Sequence, residues 1–252
     1  MSKTIAILNQ KGGVGKTTTT INVAAYLAKL GHSILIVDLD PQGNATSGLG
    51  IDKQSLENTT YDVLFGTVNV AHIIKDTSLA GLHILPTNSQ LAAAEVDLAI
   101  EERREFRLKE SLDTISYDYI LIDCPPSLGL LSLNALTAAN LVLVPVQAEY
   151  YALEGLGQLL DVIQRVRQGL NTNLELLGIV MTMYDSRTSL SEQVMAEVKK
   201  HFGQKLFNTV IPRNVRLAEA PSFGKSILEH DKWSKGARSY KSLAKEIEER
   251  AK

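Results

Sequence analysis

The sequence predicts a doubly wound α/β fold, a mostly parallel sheet with helices on both faces. Three observations lead there. Short runs of Val, Ile and Leu recur along the chain, longer stretches of helical periodicity separate them, and three of the runs close on residues suited to phosphate or metal. Strands apolar on both faces need cover on both faces, which a parallel sheet with crossover helices provides. No internal repeat, low-complexity tract or linker interrupts the 252 residues, so a single domain over 1–252 is expected.

The elements follow in order. "TIAIL" (4–8) reads as a buried strand and "INVAAYLAKL" (21–30) as a helix stopped by Gly31. The strand signature returns in "ILIVD" (34–38), "LHILP" (82–86), "YILID" (119–123), "LVLVPV" (141–146), "LGIVMTM" (177–183) and "LFNTVI" (206–211). Helical stretches are expected near 61–75, 89–114, 130–139, 151–169, 189–202 and 236–250. Ser189 and Glu192 have the spacing of a capping box at the head of one of them.

Composition narrows the class. Hydrophobic residues make up 44% and charged ones 21%, enough for a sizeable core with a soluble surface. No run of 18 apolar residues exists and the chain enters its first strand at once, so neither a signal peptide nor a spanning helix is expected. The single Cys124 excludes an internal disulfide or a multi-cysteine cluster within one chain and reads as an inert core filler. A cytoplasmic setting fits. The net charge of −2 does not announce a nucleic-acid binder, but residues 213–241 carry seven Lys/Arg against three acids, a local +4. Such a stretch is either an anion-binding face or an ordinary solvated surface, and charge alone leaves both open.

Chemistry concentrates where strands end. "ILNQKGGVGKTTTT" (7–20) is a phosphate-binding loop of unusual form: Gly15, Lys16 and Thr17 stand in place, but Gln10 replaces the first glycine and a second cation, Lys11, precedes Gly12-Gly13. Gly12, Gly13 and Gly15 free the backbone to aim N–H groups at phosphate oxygens, and the helix that follows adds its positive end. Lys16 suits the β- and γ-phosphates, and the Thr17 hydroxyl suits Mg²⁺. Residues Lys11, Gly12, Gly13, Val14, Gly15, Lys16, Thr17 and Thr18 are therefore the phosphate-binding candidates. In "IVDLDPQGN", Asp38 and Asp40 lie two apart and share a face, as metal-shell or water-positioning acids would; a turn-capping role for Asp40 before Pro41 is the alternative. "ILIDCPPSLG" closes an apolar run on Asp123, the pattern of a Mg²⁺-holding carboxylate, followed by a stiff turn at Pro125-Pro126 and Gly129 that suits a γ-phosphate sensor.

Together, "KGGVGKTT", "VDLDPQGNATSGLG", "DCPPSLGLL", "PVQAEYYALEGL" and "VIPRNVRLAEAPSFGK" resemble the deviant-Walker ATPases of the ParA/Soj family, from residue 3 to about residue 240. The resemblance implies ATP and Mg²⁺ as cofactors and an ATP-dependent homodimer in which Lys11 crosses to the partner's phosphates. It makes Lys11, Lys16 and Asp40 catalytic, with Asp40 orienting water; it gives Thr17, Asp38 and Asp123 to the metal, and Pro212, Arg213 and Asn214 to adenine. It further implies nonspecific binding of double-stranded DNA through Arg187 and Arg216, with Lys199, Lys200 and Lys225 as weaker additions. A ParB-type centromere-binding partner would stimulate slow hydrolysis, in chromosome or plasmid segregation at the nucleoid. The chain is of the short form, with no N-terminal helix-turn-helix expected. No aromatic residue is read as interleaved for base stacking, in keeping with contacts to the DNA backbone alone.

Relatives with other roles fit less well. A nitrogenase-iron-protein-like chain needs cluster cysteines. A MinD-like ATPase needs a membrane-binding amphipathic tail. Here "SYKSLAKEIEERAK" offers Tyr240, Leu243, Ala244, Ile247 and Ala251 at helical spacing beside Glu246, Glu248 and Glu249, so a packed surface helix is expected and no membrane.

Overall fold

In the computed structural model, which describes residues 2–149 and 152–252, seven strands form one sheet. They are β1 (Lys3–Ile7), β2 (Ile34–Asp38), β3 (Lys75–Asp76), β4 (Leu82–Leu85), β5 (Tyr119–Asp123), β6 (Leu141–Gln147) and β7 (Glu175–Thr182). Their spatial order is β3-β4-β2-β5-β1-β6-β7, and only the short β3–β4 pair is antiparallel. Successive side chains feed opposite faces. Ala6, Leu35, Ile120 and Val142 join the core under helices Leu130–Ala138 and Ala152–Gly169, whereas Ile5, Ile34, Leu121 and Leu143 join the core under helices Lys16–Lys29 and Lys235–Arg250. The doubly wound α/β prediction describes this sheet.

The order β2-β5-β1 decides where chemistry can occur. Three neighbouring parallel strands release their chains at the same edge, and the register sets Asp38 opposite Asp123 and Ile7 opposite Asp123. The three motif-bearing loops therefore converge at the carboxyl ends of the strands, where open α/β sheets bind ligands.

Several expected elements are corrected, each for a local reason. The stretch 206–211 forms no strand: Leu206 makes an isolated bridge to Ile179 of β7, and the N–H groups of Phe207 and Ile211 donate to the Ile179 and Met181 carbonyls, both at 2.8 Å. Between them the N–H groups of Asn208 and Thr209 donate to the Glu246 carboxylate, at 2.9 and 3.0 Å, instead of to a neighbouring strand. The helix expected over 89–114 is broken into short pieces ending in Arg107–Leu112. Arg103 takes φ 52, and the buried Asn134 side chain bridges the Arg104 carbonyl (2.7 Å) and the Leu108 N–H (3.0 Å), the pair a continuous helix would have joined. The stretch 61–75 divides into Thr60–Leu64 and Val70–Ile73 around Gly66, whose φ is 67. Helix Ser189–Phe202 is capped one residue earlier than expected: Thr188, not Ser189, accepts from Ser191 N–H. Helix Lys16–Lys29 starts five residues before the apolar stretch that revealed it, and Gly31, at φ 100, ends it as expected.

Candidate functional site

The loop after β1 is shaped by its glycines. Gly13 and Gly15 take φ of 74 and 87, conformations that strain any side chain, while an added Cβ at Gly12 meets no atom of its own chain within 4 Å. Asn9 anchors the loop, its side chain donating to the Pro145 carbonyl (2.7 Å) and accepting from Lys11 N–H (3.0 Å). Thr182, at the end of β7, donates to the Val14 carbonyl (2.8 Å). The loop is thus held from both sides before any ligand arrives.

Two lysines leave this loop in different directions. Lys16 is buried, with Nζ 3.2 Å from the Lys11 carbonyl oxygen; burial draws its pKa below the ordinary lysine value, opposed by the attraction of Asp123. A buried ammonium held by one carbonyl is short of acceptors, and phosphate oxygens would supply them. Lys11 lies outside, about half exposed, and pairs with Glu149 of its own chain.

The carboxylates separate by role. Asp123 accepts from Thr17 Oγ1 (2.7 Å) and Thr20 Oγ1 (3.1 Å), so Thr17 and Asp123 stand together as a hydroxyl–carboxylate pair. Asp38, also fully buried, gives Oδ2 to both the N–H and the hydroxyl of Thr46, each at 2.7 Å, and its Oδ1 faces Asp40 N–H at 3.4 Å. Its oxygens are thus engaged in holding the following turn, and the structure does not aim Asp38 at Thr17. Burial raises the pKa of both Asp123 and Asp38, and their mutual repulsion raises that of Asp123 further. Asp123 beside the Thr17 hydroxyl is a donor pair that a hard divalent cation suits, and the cation's charge would offset the burial of Asp123 and its repulsion by Asp38.

Asp40 takes the turn-capping alternative with one oxygen and leaves the other unengaged among the described residues. Its Oδ1 accepts from Gln42 N–H (2.9 Å) in a turn, and its Oδ2 accepts no hydrogen bond from the described residues. The loop beyond Asp123 is fixed at its far end by a residue no motif revealed. Glu95 accepts from the N–H of Leu130 (2.7 Å) and Leu131 (3.3 Å), capping a helix that has no cap of its own. A Cβ on Gly129 would lie 2.4–2.6 Å from that carboxylate. Asn9, Thr20, Thr46 and Glu95 escaped sequence reasoning. The only signals were a polar residue directly after an apolar strand, for Asn9, and a second threonine one helical turn after Lys16, for Thr20.

Beside the loop lies a cavity of about 320 Å³ lined by Gly15, Thr18, Met183, Pro212, Asn214 and Tyr240, among others. Asn214 lines it, and its buried Oδ1 has no hydrogen-bond partner among the described residues, an acceptor suited to an exocyclic amine. Arg213 is exposed, and its N–H donates to the Tyr184 carbonyl (3.3 Å). The Tyr184–Pro212 bridge sets the loop bearing Arg187 beside the segment that leads into the short helix Val215–Glu219, which bears Arg216. Both arginines are paired within the chain: Arg187 is bidentate to Asp185 (2.9 and 2.7 Å), and Arg216 bonds Glu219 (2.9 Å) and faces Asp231 (3.7 Å). Lys199 and Lys200 sit exposed in the last turn of helix Ser189–Phe202. The expectation of no interleaved aromatics is corrected here: Phe223 and Trp233 stand 65% and 78% exposed within the basic stretch.

A glycine-rich strand-to-helix loop with a buried lysine, a threonine–aspartate pair at its back and a base-sized cavity beside it defines a P-loop nucleotide-binding protein. A family model described as an AAA domain matches residues 2–176. The chain is 56% identical over 249 residues to the sporulation initiation inhibitor protein Soj of Bacillus subtilis, covering 98% of each chain. It is 50% identical to the chromosome partitioning protein ParA of Caulobacter vibrioides, covering 97% and 93%. Among solved structures, cobyrinic acid a,c-diamide synthase from Mycobacterium smegmatis with bound ADP and magnesium superposes with a TM-score of 0.87 at 40% identity, covering 97% and 93%. The chain belongs to the ParA/Soj family of partitioning ATPases.

Proposed function

We propose that this chain is a nucleotide-switched partitioning ATPase: two ATP-bound copies dimerise, the dimer binds duplex DNA without sequence preference, and hydrolysis stimulated by a ParB-type centromere-binding partner releases it, in chromosome or plasmid segregation at the nucleoid. The observation that carries this reading is the divergence of the two lysines. Lys16 is committed to its own site, whereas Lys11 lies at the surface on a single exposed ion pair, a contact worth little and readily exchanged. On exchange, Lys11 would face the phosphates of a second copy, placing an added cation where charge develops in transfer and tying hydrolysis to dimerisation.

Within the site, Lys16 and the N–H groups of residues 12–18 hold the phosphates of ATP, and Asn214 and Pro212 take the adenine. Thr17 and Asp123 would hold Mg²⁺, directly or through water, and the ion would neutralise phosphate charge. Asp38 supports that shell by fixing Thr46 and the Asp40 turn. Asp40 presents its free oxygen to the attacking water and holds it in line.

A MinD-like membrane role is disfavoured by the last helix. Gly236, Ala237, Tyr240, Leu243, Ala244 and Ile247 are buried, and the Tyr240 hydroxyl lies 3.1 Å from Thr19 Oγ1 on the P-loop helix. The apolar stripe that a bilayer would need is used in the core. No described helix is long and apolar enough to cross a membrane. An amide-transfer role through a cysteine nucleophile finds no group, because the sole thiol, Cys124, is fully buried and burial raises its pKa.

Sedimentation with ATP, ADP or no nucleotide, each with and without an unrelated duplex, tests the reading. A dimer with ATP alone, and co-sedimentation with duplex only in that state, is expected. DNA binding independent of nucleotide would contradict it.

A further inference from the structure

Three well-exposed apolar side chains, Val215, Phe223 and Trp233, lie inside the basic stretch 213–241, and contacts link the segments that carry Arg216 and Trp233. Asp231 ties them together: one carboxylate oxygen faces Arg216 at 3.7 Å and the other accepts Trp233 N–H at 3.1 Å. Phe223 stacks on His230 with centroids 4.9 Å apart. Gly236 packs so closely on Leu217 that a Cβ would lie 2.6 Å away, which brings the head of the last helix, with Lys235, against the Arg216 turn. The Lys232 ammonium sits 5.3 Å from the centroid of the Trp233 ring.

We propose that Trp233 and Lys232 form a backbone-clamping contact for duplex DNA, with the indole against deoxyribose and the ammonium on the adjoining phosphate. The inference rests on the DNA-binding reading above and adds to it an apolar contact next to Arg216. An indole left 78% exposed gains little from folding, yet its own main chain is pinned by Asp231, so the ring is presented at a fixed place. Whatever covers that ring also receives a cation. The sugar–phosphate backbone offers apolar sugar edges alternating with anions and satisfies both groups at once. A bilayer taking up the indole would also have to take up the Lys232 ammonium over the ring and the Asp231 carboxylate bonded to the Trp233 N–H, which disfavours lipid. Paired bases offer no face for stacking in intact duplex, so the contact is independent of sequence.

Trp233 is the only tryptophan, so its emission reports directly on this contact. The test uses the full chain with ATP and Mg²⁺, two unrelated duplexes, and a salt titration. We expect Trp233 emission to shift as duplex is added, with the same midpoint as binding measured by anisotropy of the labelled duplex. W233A should bind both duplexes on the order of tenfold more weakly with an unchanged slope of log K against log salt, because an apolar contact releases no counterions. K232Q should flatten that slope by about 0.9 per lost contact, roughly 1.8 for two chains of a dimer. Both variants lie on the surface and should keep the parent's ATP affinity. If the parent binds duplex while its emission stays fixed and W233A binds equally well, the proposal is overturned and the DNA reading stands. If the parent binds neither duplex, both fall together. Emission that shifts with anionic phosphatidylglycerol vesicles but not with duplex would overturn it in favour of lipid.

Discussion

Asp40 closes the turn at Gln42 through Oδ1, while its Oδ2 accepts no hydrogen bond from the described residues. The proposed function gives that second oxygen to the attacking water. The residue beside Asp40 in the motif, Asp38, is spent on Thr46 and steadies the turn from below. Removing Asp40 should therefore cost stability modestly, about 1 kcal/mol for one lost hydrogen bond, and cost catalysis far more. Asp40→Ala is expected to retain ATP affinity while single-turnover hydrolysis falls by about 10²–10⁴, the range for loss of a proton-handling or positioning group. Asp40→Asn, which keeps the turn acceptor, should recover the stability but not the rate. Hydrolysis of either variant at the parent rate would remove Asp40 from the chemistry.

Elements show how a side chain can override a pattern. Glu246, on the last helix, accepts from Asn208 and Thr209 N–H and pairs with Arg250 at 2.8 Å, which keeps residues 206–211 from joining the sheet as an eighth strand. Burial alone would raise its pKa, but these donors lower it overall. A depressed folded-state value means the contribution is fully present above the unfolded glutamate value of about 4.3 and is lost as pH falls through the folded value. Glu246→Gln should thus destabilise by about 1–2 kcal/mol near neutral pH in urea unfolding, and the gap to the parent should close in acid. A gap that does not change with pH would show that the carboxylate charge is not what holds the segment. This case also marks what was legible. β1, β2, β5 and β6 were plain in the sequence because two-sided burial makes them uniformly apolar, and with them came the three loops of the site. The breaks at 101–106 and 208–209 were not, since each is imposed by a partner distant in sequence, Asn134 or Glu246. In the site, Lys16, Thr17 and Asp123 were legible because their spacing within a motif encodes their geometry. Glu95 and Thr46 were not, because capping and turn support come from other segments and leave no local signature.

At the scale of the molecule, the proposed dimer rests on one exposed loop. Lys11 and Gly12 are exposed on the loop, the Lys11 ammonium pairs among the described residues with Glu149, and Gly12 has open space before it. Under the proposed function the departure from the usual loop has a physical reason: Gln10 begins the loop before its turn at Gly12-Gly13, and the lysine gained, Lys11, would exchange Glu149 for a facing site. Gly12→Val isolates this claim, because Gly12 does not need a left-handed conformation and its new side chain meets nothing in its own chain. The decisive measurement is sedimentation velocity of Gly12→Val beside the parent at saturating ATP, with nucleotide binding confirmed by titration. The account predicts a parent that dimerises and a variant that binds ATP but stays monomeric, since the branched side chain blocks the approach of the partner's loop. A Gly12→Val protein that forms the ATP dimer as the parent does would contradict the close facing of the two loops, and with it the role of Lys11 across the interface.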